Sequence, residues 1–203
     1  MRTKPDLRVF LKWMIADSGS VITDVMRLKR IESLMAGPTA CVLFPETLPN
    51  QISWRELMQD IADSWPDSSL FHIGNSTKFG GAYSGELRPF VGDVYEYQPS
   101  EYCISPAEID ATRVVLGVDI SHCVELGAMC KSQCDHQLLC EIAAHLARTY
   151  NGFVDFNGVI TDTDRDDLYN IKWLEDGHEY ASQIGAPAAC DWWLQQTNFR
   201  MVK

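Results

Sequence analysis

No stretch of these 203 residues is apolar for the length that a helical membrane span needs. No segment repeats and none is of low complexity, which excludes solenoids and polar linkers. Recognisable reaction motifs are missing as well. There is no G-x-S-x-G, no H-E-x-x-H and no dinucleotide fingerprint, and the Gly80-Gly81…Gly85 stretch lacks the G-K-[S/T] of a phosphate loop. Basic residues are scarce: 17 Lys and Arg stand against 28 Asp and Glu, for a net charge of −11. A surface that negative repels nucleic acid and anionic lipid and attracts basic partners, although the same charge also serves solubility.

Cysteine is present without a pattern. Seven residues form no disulfide-like spacing, and Cys41, Cys140 and Cys190 lie in apolar runs, as small buried side chains of a reduced, cytosolic protein do. The apolar run at 9–15 is interrupted by Lys12 and has no small-residue cleavage site after it, so no secretory signal is read. The expected location is the cytoplasm.

What is present organises into two parts. Residues 1–34 carry seven basic and four acidic residues and show helical spacing at 7–15 and 21–35. They are expected to form a basic helical extension. Residues 35–203, with 10 basic and 24 acidic residues, are expected to be a single α+β domain. Its predicted strands are 40–44, 70–74, a hairpin of 86–90 and 93–97, 113–120, 153–160, and a pair around Asp176-Gly177. Its predicted helices begin at Ser53, where Ser53 and Glu56 form a capping box, at an N-capping Asp135, and at Pro187. Residues 99–111 read as a loop or a short helical turn. The economical arrangement is a two-layer sandwich, a mixed or mostly antiparallel sheet with helices on one face.

Three clusters are candidates for chemistry. His122, Cys123, Cys130, Cys134 and His136, with Cys140 nearby, are the residue types that zinc selects, but no C-x2-C pair is among them. Apolar thiols are the plainer reading, and no metal and no cofactor are expected. Asp162, Asp164, Asp166 and Asp167 form an acidic loop of the kind that holds Mg²⁺ or Ca²⁺. An EF-hand counted from Asp162 would need Gly at 167 and Glu at 173, where the chain has Asp167 and Trp173. Trp192 and Trp193 are adjacent on a predicted helix, about 100° apart, so one ring must leave the core stripe. There it would serve as an interface anchor.

The segments MAGPTACVLF (35–44), LARTYNGFVDFNGVI (146–160) and DWWLQQTNFRMVK (191–203) resemble an uncharacterised bacterial family of unknown function. Its members begin near MAGP, carry a G-x-V-D-F-x-G block and end in F-R-M-[IV]-K. The same grammar is similar to that of polymorphic-toxin immunity proteins. That resemblance implies a non-enzymatic protein that occludes the active or substrate-binding site of a cognate toxin with a basic surface. The expected contacts are Asp162, Asp164, Asp166, Asp167, Trp173, Glu175, Asp176, Trp192 and Trp193, and neither nucleic acid nor membrane is an expected partner. The alternative is a metal-dependent hydrolase or transferase using the Asp162–Asp167 loop or the Cys/His cluster. A third reading is a homodimer in which the basic extension docks on a neighbour's acidic surface.

Overall fold

A computed structural model of the chain describes residues 37–46, 48, 53–74, 87–99 and 104–201. The expectations for residues 1–34, Ile52 and the Gly80–Gly85 loop lie outside them. In chain order the elements are β1 (Thr39–Phe44), α1 (Trp54–Leu57), β2 (Leu70–Ile73), β3 (Arg88–Glu96), α2 (Pro106–Leu116), β4 (His122–Ala128), α3 (Gln133–Thr149), β5 (Phe153–Asp155), β6 (Leu168–Glu175), β7 (His178–Gly185) and α4 (Pro187–Leu194). The strands form one sheet in the order β2-β3-β4-β1-β5-β7-β6, with every neighbouring pair antiparallel. This is the α+β fold that the sequence pattern predicts. β4 and β5 flank β1, and α3 crosses over β1 to join them.

Period-two alternation sorts the strand residues onto two faces. On the first face Ala40, Val42, Phe44, Phe71, Phe90, Val124, Leu126 and Val154 pack against Leu138, Leu139, Ile142 and Leu146 of α3 and against Cys190 and Trp193 of α4. On the second face Leu43, Tyr97, Cys123, Ile171 and Ile184 form a smaller cluster.

α3 begins one turn earlier than predicted. Ser132 is its N-cap, and Asp135 stands at the third helical position, closing a capping box in which Asp135 Oδ2 accepts the Ser132 N–H at 2.7 Å. The other Asp135 oxygen accepts from Arg88 of β3 at 2.8 Å, so one carboxylate caps the helix and ties it to the sheet. Asn151 ends the helix in the left-handed region at φ 52°, as the Asn-Gly pair predicts. Asp176 (φ 50°) and Gly177 (φ 80°) make the predicted tight turn between β6 and β7.

Three expectations are corrected. Residues 113–120 are not a strand: they are the end of α2 and the turn after it. Ser105 caps that helix by accepting the Glu108 N–H, Pro106 sits at its first position, and Gly117 at φ 69° stops it. The apolar look of the segment misled, because Val114 is 79% exposed and Val115 and Val118 also face solvent. Arg88–Glu96 is one unbroken strand, where a hairpin of two was expected. Gly92 is no turn: a Cβ there would lie 2.6 Å from the Trp54 ring, so only glycine lets that indole approach β3 so closely. Finally, α1, α3 and α4 lie on the first face as expected, whereas α2 covers part of the second. Ile109 and Leu116 of α2 pack against the second-face cluster, and α2 lies along β6.

Candidate functional site

The sheet register places one row of ionisable side chains across the second face. Asp93 of β3 pairs with Glu125 of β4, Glu125 with Cys41 of β1, and Cys41 with Asp155 of β5. Residues directly opposite on neighbouring strands lie about 5 Å apart, so two carboxyl groups flank the thiol and a third lies one strand beyond Glu125. Tyr95 Oη donates to Glu125 at 2.8 Å. Asp155 accepts from Ser182 Oγ of β7 at 2.5 Å and from the Asn157 N–H at 2.8 Å.

α2 brings a fourth carboxyl group over this row. Glu108 holds the third helical position, where a glutamate often folds back to close a capping box. Here it faces Asp155 and Glu175 instead. Burial first, and then those two negative neighbours, push its carboxyl up to about 7. Burial also raises the Asp155 carboxyl, against the opposing pull of its Ser182 and Asn157 donors. Burial, then Glu125, Cys123, Asp155 and Glu108, push the Cys41 thiol well up. A thiol in that setting stays protonated and is a poor nucleophile. Glu108 is different, since a carboxyl that titrates near neutrality can hold or release a proton at working pH.

Sequence reading missed this row. Asp93, Glu125, Cys41 and Asp155 come from four separated segments, and only the strand order makes them neighbours. The available signal was weak: each sits among residues of apolar alternation at a position that points away from the main core.

The nine residues expected to contact a partner fall into two groups at opposite ends of edge strand β6, roughly 25 Å apart by strand rise. The first group lies in the loop before β6. Asp162, Asp164 and Asp166 are exposed there. Asp167 is not free, because Arg165 clamps it through Nε and Nη2, both at 2.7 Å. The same guanidinium lies 4.5 Å from the centre of the Trp192 ring. Trp193 is the core member of the tryptophan pair, 2% exposed, and Trp192 is the one at the edge, as helical spacing requires. The second group is at the hairpin end. Trp173 stacks on Tyr180, with ring centres 5.6 Å apart and planes 17° from parallel, and Glu175 and Asp176 follow at the tip.

The Cys/His candidates are dispersed. His122 and Cys123 point to opposite faces of β4, following the register that sets His122 opposite Phe44 and Cys123 opposite Leu43. Cys130 is exposed in the turn before α3, and Cys134 is half-buried in the helix's first turn. His136 accepts a backbone N–H from Met201 at 3.0 Å, and Cys140 is buried against the Cys190 carbonyl. No group of three His, Cys, Asp or Glu side chains among the described residues could hold a metal ion, and no helix among them is long and apolar enough to cross a membrane.

Fold and site thus define an α+β domain with an open antiparallel sheet, one face apolar and the other carrying an ionisable row beside a smaller apolar cluster. Residues 36–203 match the model of DUF6368, a family of unknown function, and the chain belongs to that family. No curated protein matches the chain, and no solved structure matches it.

Proposed function

We propose that this is a binding protein for a basic protein partner, and within that class an immunity protein that occludes a cognate bacterial toxin. The observation that carries the reading is the state of charge along the β6 edge. Between residues 162 and 179 the chain has seven carboxylates and only two cations, Arg165 and Lys172. Both cations are already paired, Arg165 with Asp167 and Lys172 with Glu179. Asp162, Asp164 and Asp176 therefore present uncompensated charge, with no ion pair among the described residues.

At the hairpin end, apolar and aromatic surface adjoins that charge: Tyr180 is 45% exposed and Leu174 67% exposed. Aromatic and apolar anchors beside exposed charge suit a protein interface, where the charge steers association and the anchors supply affinity.

The test is co-expression with the C-terminal domain of a secreted toxin encoded beside this gene, scored by growth, followed by calorimetry at low and high salt. The expected result is rescue of growth and a 1:1 complex whose affinity falls with salt. The triple variant Asp162→Lys, Asp164→Lys, Asp176→Lys is expected to lose at least about tenfold in association rate. Rescue that is absent, or binding indifferent to both salt and sign reversal, overturns the reading.

A further inference from the structure

The C-terminal Phe199-Arg200-Met201 segment is a strap, fixed at three successive residues. The Gln133 side-chain amide donates to the Phe199 carbonyl at 3.1 Å. Trp193 Nε1–H donates to the Arg200 carbonyl at 3.2 Å. His136 Nδ1 accepts the Met201 N–H at 3.0 Å. Phe199 and Met201 are buried, at 4% and 1% exposed, while Arg200 between them is exposed. The strap therefore anchors both neighbours of Arg200 and leaves its guanidinium outside.

Beside the strap is a cavity of about 710 Å³, lined by His136, Val159, Ile160, Trp193, Asn198, Arg200 and Met201. That volume is the size of a small-molecule pocket. Its chemistry runs against the rest of the protein. In a chain of net charge −11 the described residues of its lining include no carboxylate. Arg200 forms no ion pair among the described residues, whereas Arg88, Arg113, Arg148, Arg165 and Lys172 each face a carboxylate. Asn198 spends neither its amide N–H groups nor its carbonyl on another described residue.

His136 adds a third donor. A ring nitrogen that accepts a backbone N–H carries no proton, so the imidazole proton sits on Nε2. The neighbouring Asp135 carboxylate is turned to Ser132 and Arg88.

We propose that this cavity binds a small organic anion, with its charged oxygens on the Arg200 guanidinium and the Asn198 amide, the His136 Nε2–H within the same lining, and its apolar body against Trp193, Ile160 and Val159. A guanidinium pairs bidentately with carboxylate and phosphate alike, so the shared recognition is of an oxyanion joined to an apolar or aromatic body. The site does not rest on the partner-binding reading, and each can fail without the other.

The test titrates the full chain, isotopically labelled, with phenylacetate, phenyl phosphate and the neutral 2-phenylethanol, followed by amide and indole N–H resonances and by calorimetry. The expected result is saturable binding of one or both anions, with shifts centred on the Trp193 indole N–H and on residues 198–201. Which anion binds distinguishes carboxylate from phosphate recognition. Arg200→Gln, at an exposed side chain, should fold with an unchanged melting curve and bind at least about tenfold more weakly. Gln133→Ala, which frees the strap at Phe199, should weaken the anion by a smaller factor while leaving Arg200 in place. Equal binding of 2-phenylethanol, undiminished binding by Arg200→Gln, or no saturation by either anion up to about 5 mM would overturn the proposal.

Discussion

The two faces of the sheet are built from the same strands and do opposite work. On the first face, alternate residues of β1, β3, β4 and β5 meet α3 and α4 in a continuous apolar layer. On the second, the intervening residues of those strands supply Asp93, Glu125, Cys41 and Asp155, with Glu108 brought over them by α2. Asp93, Thr112, Asp155 and Ser182 are all buried on or above the second face. Buried polar groups cost stability unless each is matched by a donor or acceptor, and each is answered here: Asp93 by the Val94 N–H, Thr112 by Tyr97 Oη, and Asp155 by Ser182 Oγ and the Asn157 N–H. One face concentrates the stabilising contacts. The other holds groups away from their ordinary protonation, where a site is to be sought.

The largest effect that sharpens the contrast is a core truncation. Leu139→Ala, at a fully buried position of α3, removes side-chain contacts from the first face and should cost about 2–5 kcal/mol. The matching change on the helix of the other face, Val114→Ala, alters a side chain that is 79% exposed and should stay within about 0.5 kcal/mol. Urea denaturation of the two variants measures the difference. Comparable losses would mean that α2 carries as much of the fold as α3, and the comparison would break.

Next in size is a change that should stabilise. In the unfolded chain Glu108 titrates near its ordinary 4.5, and in the fold its carboxyl is held at about 7. The folded protein therefore binds more protons between those values. The stabilising contribution of protonated Glu108 is complete below pH 4.5 and is lost as pH rises through 7. Glu108→Gln removes the titration and keeps the shape. At pH 8 the variant should be more stable than the parent, by on the order of 1–3 kcal/mol, and near pH 4 the two should coincide. Urea midpoints taken across that range check the sign. A variant that is less stable at pH 8 would show that the Glu108 carboxylate is favourably solvated and that the second face is not as dry as its geometry implies.

How much of this was legible in the sequence follows from the range of the interactions. β1, β2, the β6–β7 turn, the Ser53 capping box and the Pro187 helix start depend on neighbours a few residues apart, and local pattern predicts them. α2 was missed although its signals were equally local, because Val114, Val115 and Val118 read as a buried strand while Ser105, Pro106 and Gly117 spelt a capped helix. The caps were the better guide, since hydrophobicity reports burial only where a partner exists. The hairpin expected over 86–90 and 93–97 missed the continuous strand through Gly92 because the residue that needs glycine there, Trp54, comes from a distant segment. The carboxylate row was invisible for the same reason: Asp93, Glu125, Cys41 and Asp155 become neighbours only through strand order. The strap at Phe199 to Met201 reads as a tail until Gln133, His136 and Trp193 are placed against it.

The smallest effect on stability, and a direct probe of the second face, is thiol reactivity. Cys130 is exposed in a turn, whereas Cys41 lies in the row with its thiol raised first by burial and then by Glu125 and the other acidic groups around it. Alkylation proceeds through the thiolate, so iodoacetamide at pH 8 should label Cys130 promptly and leave Cys41 protected in the folded protein, as peptide mapping after a timed quench would show. Glu125→Gln separates the two causes. Because burial outweighs charge at Cys41, removing one carboxylate should speed its labelling by only about a few-fold, with little change in melting temperature. Labelling as fast as that of Cys130 in the unaltered protein would mean that the row is open to water and its groups titrate ordinarily. The second face would then be one more solvated surface, and the difference between the two sides of the sheet would reduce to which of them the long helix happens to cover.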